Sequence, residues 1–270
     1  MLSISSAELN TWVVQFVWPF IRVLALFTTA PLLGHRSFPR SARIGLALLI
    51  TFLIVPTIPP ASAQSLMDGM AFLYLLQQLF VGVAIGFGMM MVFAAIEAAG
   101  ELMGLQMGLS FATFVDPVHN RSTPIIGSYL GVMASLSFLA LDGHLLMIAA
   151  IHESFTLMPI APNPLHVFNL PALIQTGSDI FRLGMQISLP VMAAMLVTNI
   201  AMGLLARAAP QLNIFAVGFP LTIFIGFWAL FLALPYLRSL FEQILLTPLT
   251  AKIGHQFLQW VADPSFIQDQ

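Results

Sequence analysis

Two glutamates, Glu97 and Glu101, stand one helical turn apart in IEAAGEL. At that spacing both carboxylates lie on one helix face. Paired carboxylates inside a membrane can form a proton relay or an ion site. The same pair equally suits a polar face lining a subunit contact or a water-filled crevice. No lysine or arginine sits at helical spacing to complete a relay. Asp142-Gly143-His144 and His152-Glu153 bring acid and imidazole close in sequence. A zinc site needs three or four convergent ligands, and these spacings match no zinc motif. They read as a turn after an apolar run. The chain has no cysteine, which excludes disulfides, thiol catalysis and Cys-ligated clusters. Its one lysine is not part of a phosphate-binding Gly-Lys-Ser/Thr. There is no Gly-x-Ser-x-Gly elbow, no His-Glu-x-x-His and no dinucleotide fingerprint. Asn120-Arg121-Ser122 fits the glycosylation pattern, but three-residue matches are common by chance. Nothing here predicts an enzyme, a metal or a cofactor.

A polar stretch, GLSFATFVDPVHNRSTP, Gly108 to Pro124, interrupts the apolar chain midway. Proline disfavours helix for the residue before it, so Asp116-Pro117 predicts a helix end near Val115. Non-helical backbone at membrane depth survives only buried in protein or lining a watery cavity. Phe111 and Phe114 are three apart and share a face. Two rings at a helix end can plug a pore or pack in a core. Met89, Met90, Met91, Met103 and Met107 cluster just before them. Methionine fills irregular gaps, so the group serves loose core packing or a soft seal.

The elements that must position these groups are hydrophobic. Of 270 residues, 59% are hydrophobic and only 7% charged, against roughly 25% charged in a soluble domain. The chain therefore reads as an integral membrane protein, or as part of an assembly that behaves like one, and its near-neutral charge argues against a nucleic-acid partner. A membrane helix needs about 20 apolar residues. Runs at 44–67, 69–96, 122–141, 183–206 and 208–237 qualify, and 12–33 does if Arg22 is tolerated. That predicts an all-α protein of about six apolar helices, with 97–121 and 142–182 less regular. A membrane barrel would show short alternating segments instead. Pro19, Pro31, Pro56, Pro190, Pro210, Pro220 and Pro235 lie in or beside the runs. Gly82 and Gly86, then Gly100, Gly104 and Gly108, recur every four residues. Such faces let another backbone approach, within the chain or from another subunit. The N-terminus lacks a basic region and a cleavage site, so its apolar run reads as mature structure. Arg36, Arg40 and Arg43 cluster after the first run, which places that loop in the cytoplasm. Beyond residue 150 the charges set no clear topology. No linker separates a second domain.

GELMGLQMGLSFATFVDP resembles the central signature of the FliR family of type III export-gate proteins. WPFIRVLALFTTAPLLGHRSFPRSARIGLAL at 18–48 is similar to the family's N-terminal hairpin. QQLFVGVAIGFGMMMVFAAIEAAGE at 77–101 matches its third helix region, and LLARAAPQLNIFAVGFPL at 204–221 its second strong motif. NGH is common in the family where this chain has Asp142-Gly143-His144. The tail after about 240 is weakly matched.

The resemblance implies a non-enzymatic export-gate subunit of the bacterial inner membrane and flagellar basal body. Its implied fold is a FliP-like part over about 1–182, a FliQ-like hairpin over 183–240 and a tail over 241–270. The implied partners are FliP, FliQ and FlhB, with FlhA nearby. Unfolded flagellar proteins would be the transient substrate, membrane lipid the surroundings. The residues falling on the family's plug are Ser110, Phe111, Phe114, Asp116 and Pro117. Arg207, Pro210, Gln211 and Asn213 fall on the second motif, a subunit-packing element. Arg207 there either bonds carbonyls freed by the proline or snorkels to an interface. An injectisome homologue is the first alternative. A secondary transporter or ion channel using Glu97 and Glu101 is the second.

Overall fold

The computed structural model describes residues 6–58, 71–109, 124–160, 170–211 and 213–247. Among them every regular element is helical. The order is α1 (Ser6–Thr29), α2 (Arg40–Ile54) with a single 3-10 turn at Val55–Thr57, α3 (Ala71–Gln106), α4 (Ile125–Ala140), α5 (Gly143–Leu157), α6 (Leu170–Ala208) and α7 (Ile214–Thr247). Five of these, all but α4 and α5, are long and apolar enough to cross a membrane; taken together, α4 and α5 would supply a sixth span. The expectation of an all-α chain of about six apolar helices is met.

The boundaries differ from the apolar runs in instructive ways. The third helix does not stop where the uncharged run stops. It carries Glu97 and Glu101 as helical residues and ends at Gln106. The stretch 142–182, expected to be less regular, holds all of α5 and the start of α6. The prolines divide into two kinds. Pro19, Pro190, Pro220 and Pro235 lie inside helices. Pro31, Pro56 and Pro210 lie in turns or at helix ends.

The chain forms two compact units. The first takes residues 1–91, 138–176 and 245–270; the second takes 92–137 and 177–244. In the first unit α1 and α3 run in the same direction, because their contacts advance in step. Trp18 meets Tyr74 at a centroid distance of 5.8 Å, Arg22 bonds Gln78, and Gly86 faces Thr29. Gly82 is the reason they come so close. A Cβ there would collide with the carbonyl of Arg22 and lie 2.7 Å from the Ala25 Cβ. Around this contact Val23, Leu26, Phe27, Val81, Ile85, Met89, Ile151 and Phe155 form a buried apolar core.

In the second unit the close approach is between α3 and α4. A Cβ at Gly100 would lie 2.6 Å from the Gly127 Cα. Helix α6 also joins here, with Gly184 against the Ala95 carbonyl at 3.2 Å from an added Cβ. Ala95, Ile96, Ala99, Met103, Ile126, Leu130, Ile187 and Met195 are buried in this unit. Elsewhere α6 and α7 are largely bare, with Phe181, Leu196, Val197, Leu204, Phe224, Trp228 and Phe231 all exposed.

Candidate functional site

Ser110, Phe111, Phe114, Asp116 and Pro117 lie outside the described residues. What is described is the frame on either side of them. Helix α3 ends in a glycine turn. Gly108 has a φ of 80°, a left-handed conformation that glycine adopts without a Cβ clash. The Leu109 N–H bonds the Gly104 carbonyl at 3.1 Å and the Gly108 N–H bonds the Leu105 carbonyl at 3.1 Å. This is the Schellman pattern, which closes a helix by satisfying its last carbonyls. The helix thus stops well short of Val115. Gly108 is its cap, and not a third member of the face formed by Gly100 and Gly104.

Met107, inside this turn, is fully buried. Its side chain fills the space left by Gly226 of α7, where an added Cβ would lie 2.5 Å from Met107 Cγ. The Thr222 hydroxyl donates to the Met107 carbonyl at 3.4 Å and to the Phe219 carbonyl at 3.0 Å. On the far side Pro124 leads directly into α4, whose Gly127 crosses Gly100. Gly104 meets Ile126 at an ordinary 3.8 Å from an added Cβ. Both stems of the segment 110–123 are therefore seated in one packed unit.

Glu97 and Glu101 lie on the face of α3 that borders α4, and both are exposed. The Glu97 side chain lies along α4 over Gly131, where a Cβ would be 2.8 Å from its Oε1. Its backbone carbonyl faces Gly127. Neither carboxylate hydrogen-bonds another described residue. Among the described residues no three acids, histidines or cysteines converge as a metal site would require. The methionines part company: Met89, Met103 and Met107 are buried and Met90 is half exposed.

Asp142 is the one described non-glycine residue with positive φ, at 56°. It forms the turn between α4 and α5, accepting from the Leu145 and Leu146 N–H groups through its carbonyl. Aspartate and asparagine tolerate this conformation better than other side-chain-bearing residues. His144 Nδ1 is buried without a hydrogen-bond partner among the described residues. His152 Nε2 pairs with the Thr57 hydroxyl at 3.1 Å.

The second motif sits at the α6–α7 turn. Arg207, Pro210, Gln211 and Asn213 are all exposed. Arg207 occupies the last turn of α6, where a cation suits the helix dipole. It donates no hydrogen bond to a described residue, so the freed-carbonyl role finds no contact. Asn213 caps α7, its Oδ1 accepting from the Ala216 N–H at 3.3 Å.

One cluster was not anticipated from the sequence beyond the question of tolerance. Arg22 is fully buried in the first unit. Its Nε donates to Gln78 Oε1 at 2.7 Å, Nη1 to the Ser154 carbonyl at 2.9 Å and to Ser154 Oγ at 3.1 Å, and Nη2 to the Met158 carbonyl at 3.0 Å. Phe155 stacks on the guanidinium at 4.1 Å. Gln78 continues to Gln77 at 3.1 Å, and Gln77 to the Pro159 carbonyl at 3.2 Å. The arginine is a side-chain cap for α5, tying that helix end to α1 and α3. Its signal in the sequence is a lone arginine in an apolar run with two adjacent glutamines available elsewhere.

Comparison with known proteins decides the family. The family described as bacterial export proteins, family 1, matches residues 13–247. The chain belongs to that family. Similar proteins include the flagellar biosynthetic protein FliR of Pectobacterium carotovorum, 42% identical over 244 residues that cover 90% of this chain and 93% of that one. FliR of Escherichia coli K12 is 42% identical, with 90% and 95% covered. FliR of Bacillus subtilis is 34% identical, with 78% and 83% covered. This member of the export family is a multi-pass membrane protein, with five helices of membrane-crossing length among the described residues. The family match includes the Arg22 cluster, the Gly100 crossing and the Asn213 cap, and leaves out the last residues, 248–270.

Proposed function

We propose that this chain is a non-enzymatic core subunit of the flagellar type III export gate in the bacterial inner membrane. With FliP and FliQ it forms the channel for unfolded flagellar proteins, with FlhB at the cytoplasmic mouth and FlhA nearby. Residues 1–182 act as the FliP-like part, 183–240 as the FliQ-like hairpin, and 241–270 as a tail. What carries the reading is the 42% identity over nine-tenths of the chain to relatives named as flagellar FliR. Those names favour the flagellar over the injectisome setting. The bare faces of α6 and α7 support a subunit that completes its packing in an assembly.

In this reading Ser110, Phe111, Phe114, Asp116 and Pro117 form the plug of the closed channel. The stems that Met107 and Gly127 anchor hold it in place. Two aromatic rings in a narrow lumen exclude water and ions, and an incoming chain displaces them. Arg207, Pro210, Gln211 and Asn213 pack against neighbouring subunits. Replacing Phe111 and Phe114 by alanine tests this. Cells carrying the assembled variant gate are expected to leak ions and small solutes, while the complex purifies at its normal size. Normal impermeability with an intact complex contradicts the plug.

A further inference from the structure

The three arginines between α1 and α2 are not equivalent. Arg43 is used by the turn itself: its Nε donates to the Leu33 carbonyl at 2.8 Å and its Nη2 to the His35 carbonyl at 3.4 Å. Arg36 and Arg40 are exposed and hydrogen-bond no other described residue. No carboxylate occurs in the sequence between Glu8 and Asp68. Among the described residues no carboxylate pairs with Arg36 or Arg40.

Arg40 also heads an apolar stripe. Arg40, Ile44, Leu48 and Phe52 recur every four residues along α2, with Leu49 and Leu53 beside them. The five apolar side chains are exposed by 45%, 41%, 70%, 56% and 61% in that order, so no described residue covers the stripe. Gly45 leaves a notch in it, since a Cβ there would meet nothing within 4 Å. From Ile44 to Leu53 the stripe runs about 14 Å at 1.5 Å per residue. That is about half of a 30 Å hydrocarbon core, the depth of one leaflet.

We infer that Arg36, Arg40 and the outer face of α2 form a binding site for an anionic phospholipid. The phosphate headgroup bridges the two arginines, and an acyl chain lies along Ile44, Leu48 and Phe52 over the Gly45 notch. Guanidinium groups recognise phosphate oxygens in paired hydrogen bonds. A partner helix would also cover the stripe, but it would have to bring carboxylates to both arginines as well. A lipid satisfies both ends at once. The site is independent of the plug and of the export reading.

The test uses the full chain with the subunits that purify with it, in nanodiscs of equal parts phosphatidylglycerol and phosphatidylcholine. Lipids retained after release are counted by native mass spectrometry. The native protein is expected to favour phosphatidylglycerol by about 30-fold, the product of two interfacial arginines. Arg36→Gln with Arg40→Gln should bring retention close to parity, and Arg238→Gln should leave it unchanged. No preference in the native protein, or the same preference in the double variant, overturns the site. Should the double variant fail to insert, a photoreactive phenylalanine analogue in place of Phe52 decides in an otherwise native chain. Adducts with phosphatidylglycerol support the site. Adducts with protein, or with phosphatidylcholine alone, overturn it.

Discussion

At the residue scale the most informative group is Arg22. A guanidinium offers five donors in a planar fork, and here the fork reaches α3 and two points at the end of α5. All of these acceptors are neutral, so the charge is spread over carbonyl and amide dipoles and the Phe155 ring. Removing it strands the buried Gln78 Oε1 and Met158 carbonyl, each at about 1–3 kcal/mol. Arg22→Ala should therefore destabilise the chain by about 2–4 kcal/mol, read as a lower thermal midpoint in detergent and a shorter half-life in cells. Arg22→Lys should not rescue it. An ammonium is a compact point charge and cannot span the same three directions. Unchanged stability in Arg22→Lys contradicts the capping role. A charge inside an apolar run is visible in a sequence; that its partners are the end of α5 and a glutamine 56 positions away is not. Those partners are set by tertiary packing, which leaves no local pattern.

At the element scale the glycines explain why the helices meet where they do. Their spacing was legible, but their roles were not uniform. Gly82, Gly86 and Gly100 are at backbone contacts. Gly104 makes only ordinary contact, and Gly108 is a helix cap. The four-residue repeat hid the cap, because Gly108 satisfies both the packing pattern and the helix-ending rule. Asp116-Pro117 then pointed to an end further on. Hydrophobic runs found the helices well, yet their bounds shifted wherever a charged residue was helical, as at Glu97 and Glu101. Two substitutions separate the glycines by role. Gly100→Val should force α3 from α4 and cost about 1–3 kcal/mol or more, with loss of assembled complex. Gly104→Ala should be neutral or gain up to about 1 kcal/mol of helix propensity. Equal effects, measured by thermal unfolding of the two variants, contradict the assignment of the crossing to Gly100 and Gly127.

At the scale of the whole molecule the helices are too long and too bare to stand alone in a bilayer. Helices α3, α6 and α7 contain 36, 39 and 34 residues, which is about 54, 58 and 51 Å at 1.5 Å per residue. A bilayer core is about 30 Å thick. Only 17% of the apolar stretch of α6 and 28% of that of α7 is buried within the chain. Lipid can cover an apolar side chain, but the overrun must be covered by protein or water. Expressed by itself the chain should turn over quickly, and co-expression with FliP and FliQ should lengthen its half-life several-fold in a pulse-chase. The absence of cysteine gives the most direct test of the gate. A single cysteine replaces Phe114, or the exposed Leu136 of α4 as a control, and an exported flagellar subunit carrying one cysteine is stalled in the assembled apparatus. The account predicts a cross-link from position 114 and none from 136. Continued export with no link at 114, while the stalled chain links elsewhere in the channel, would contradict it.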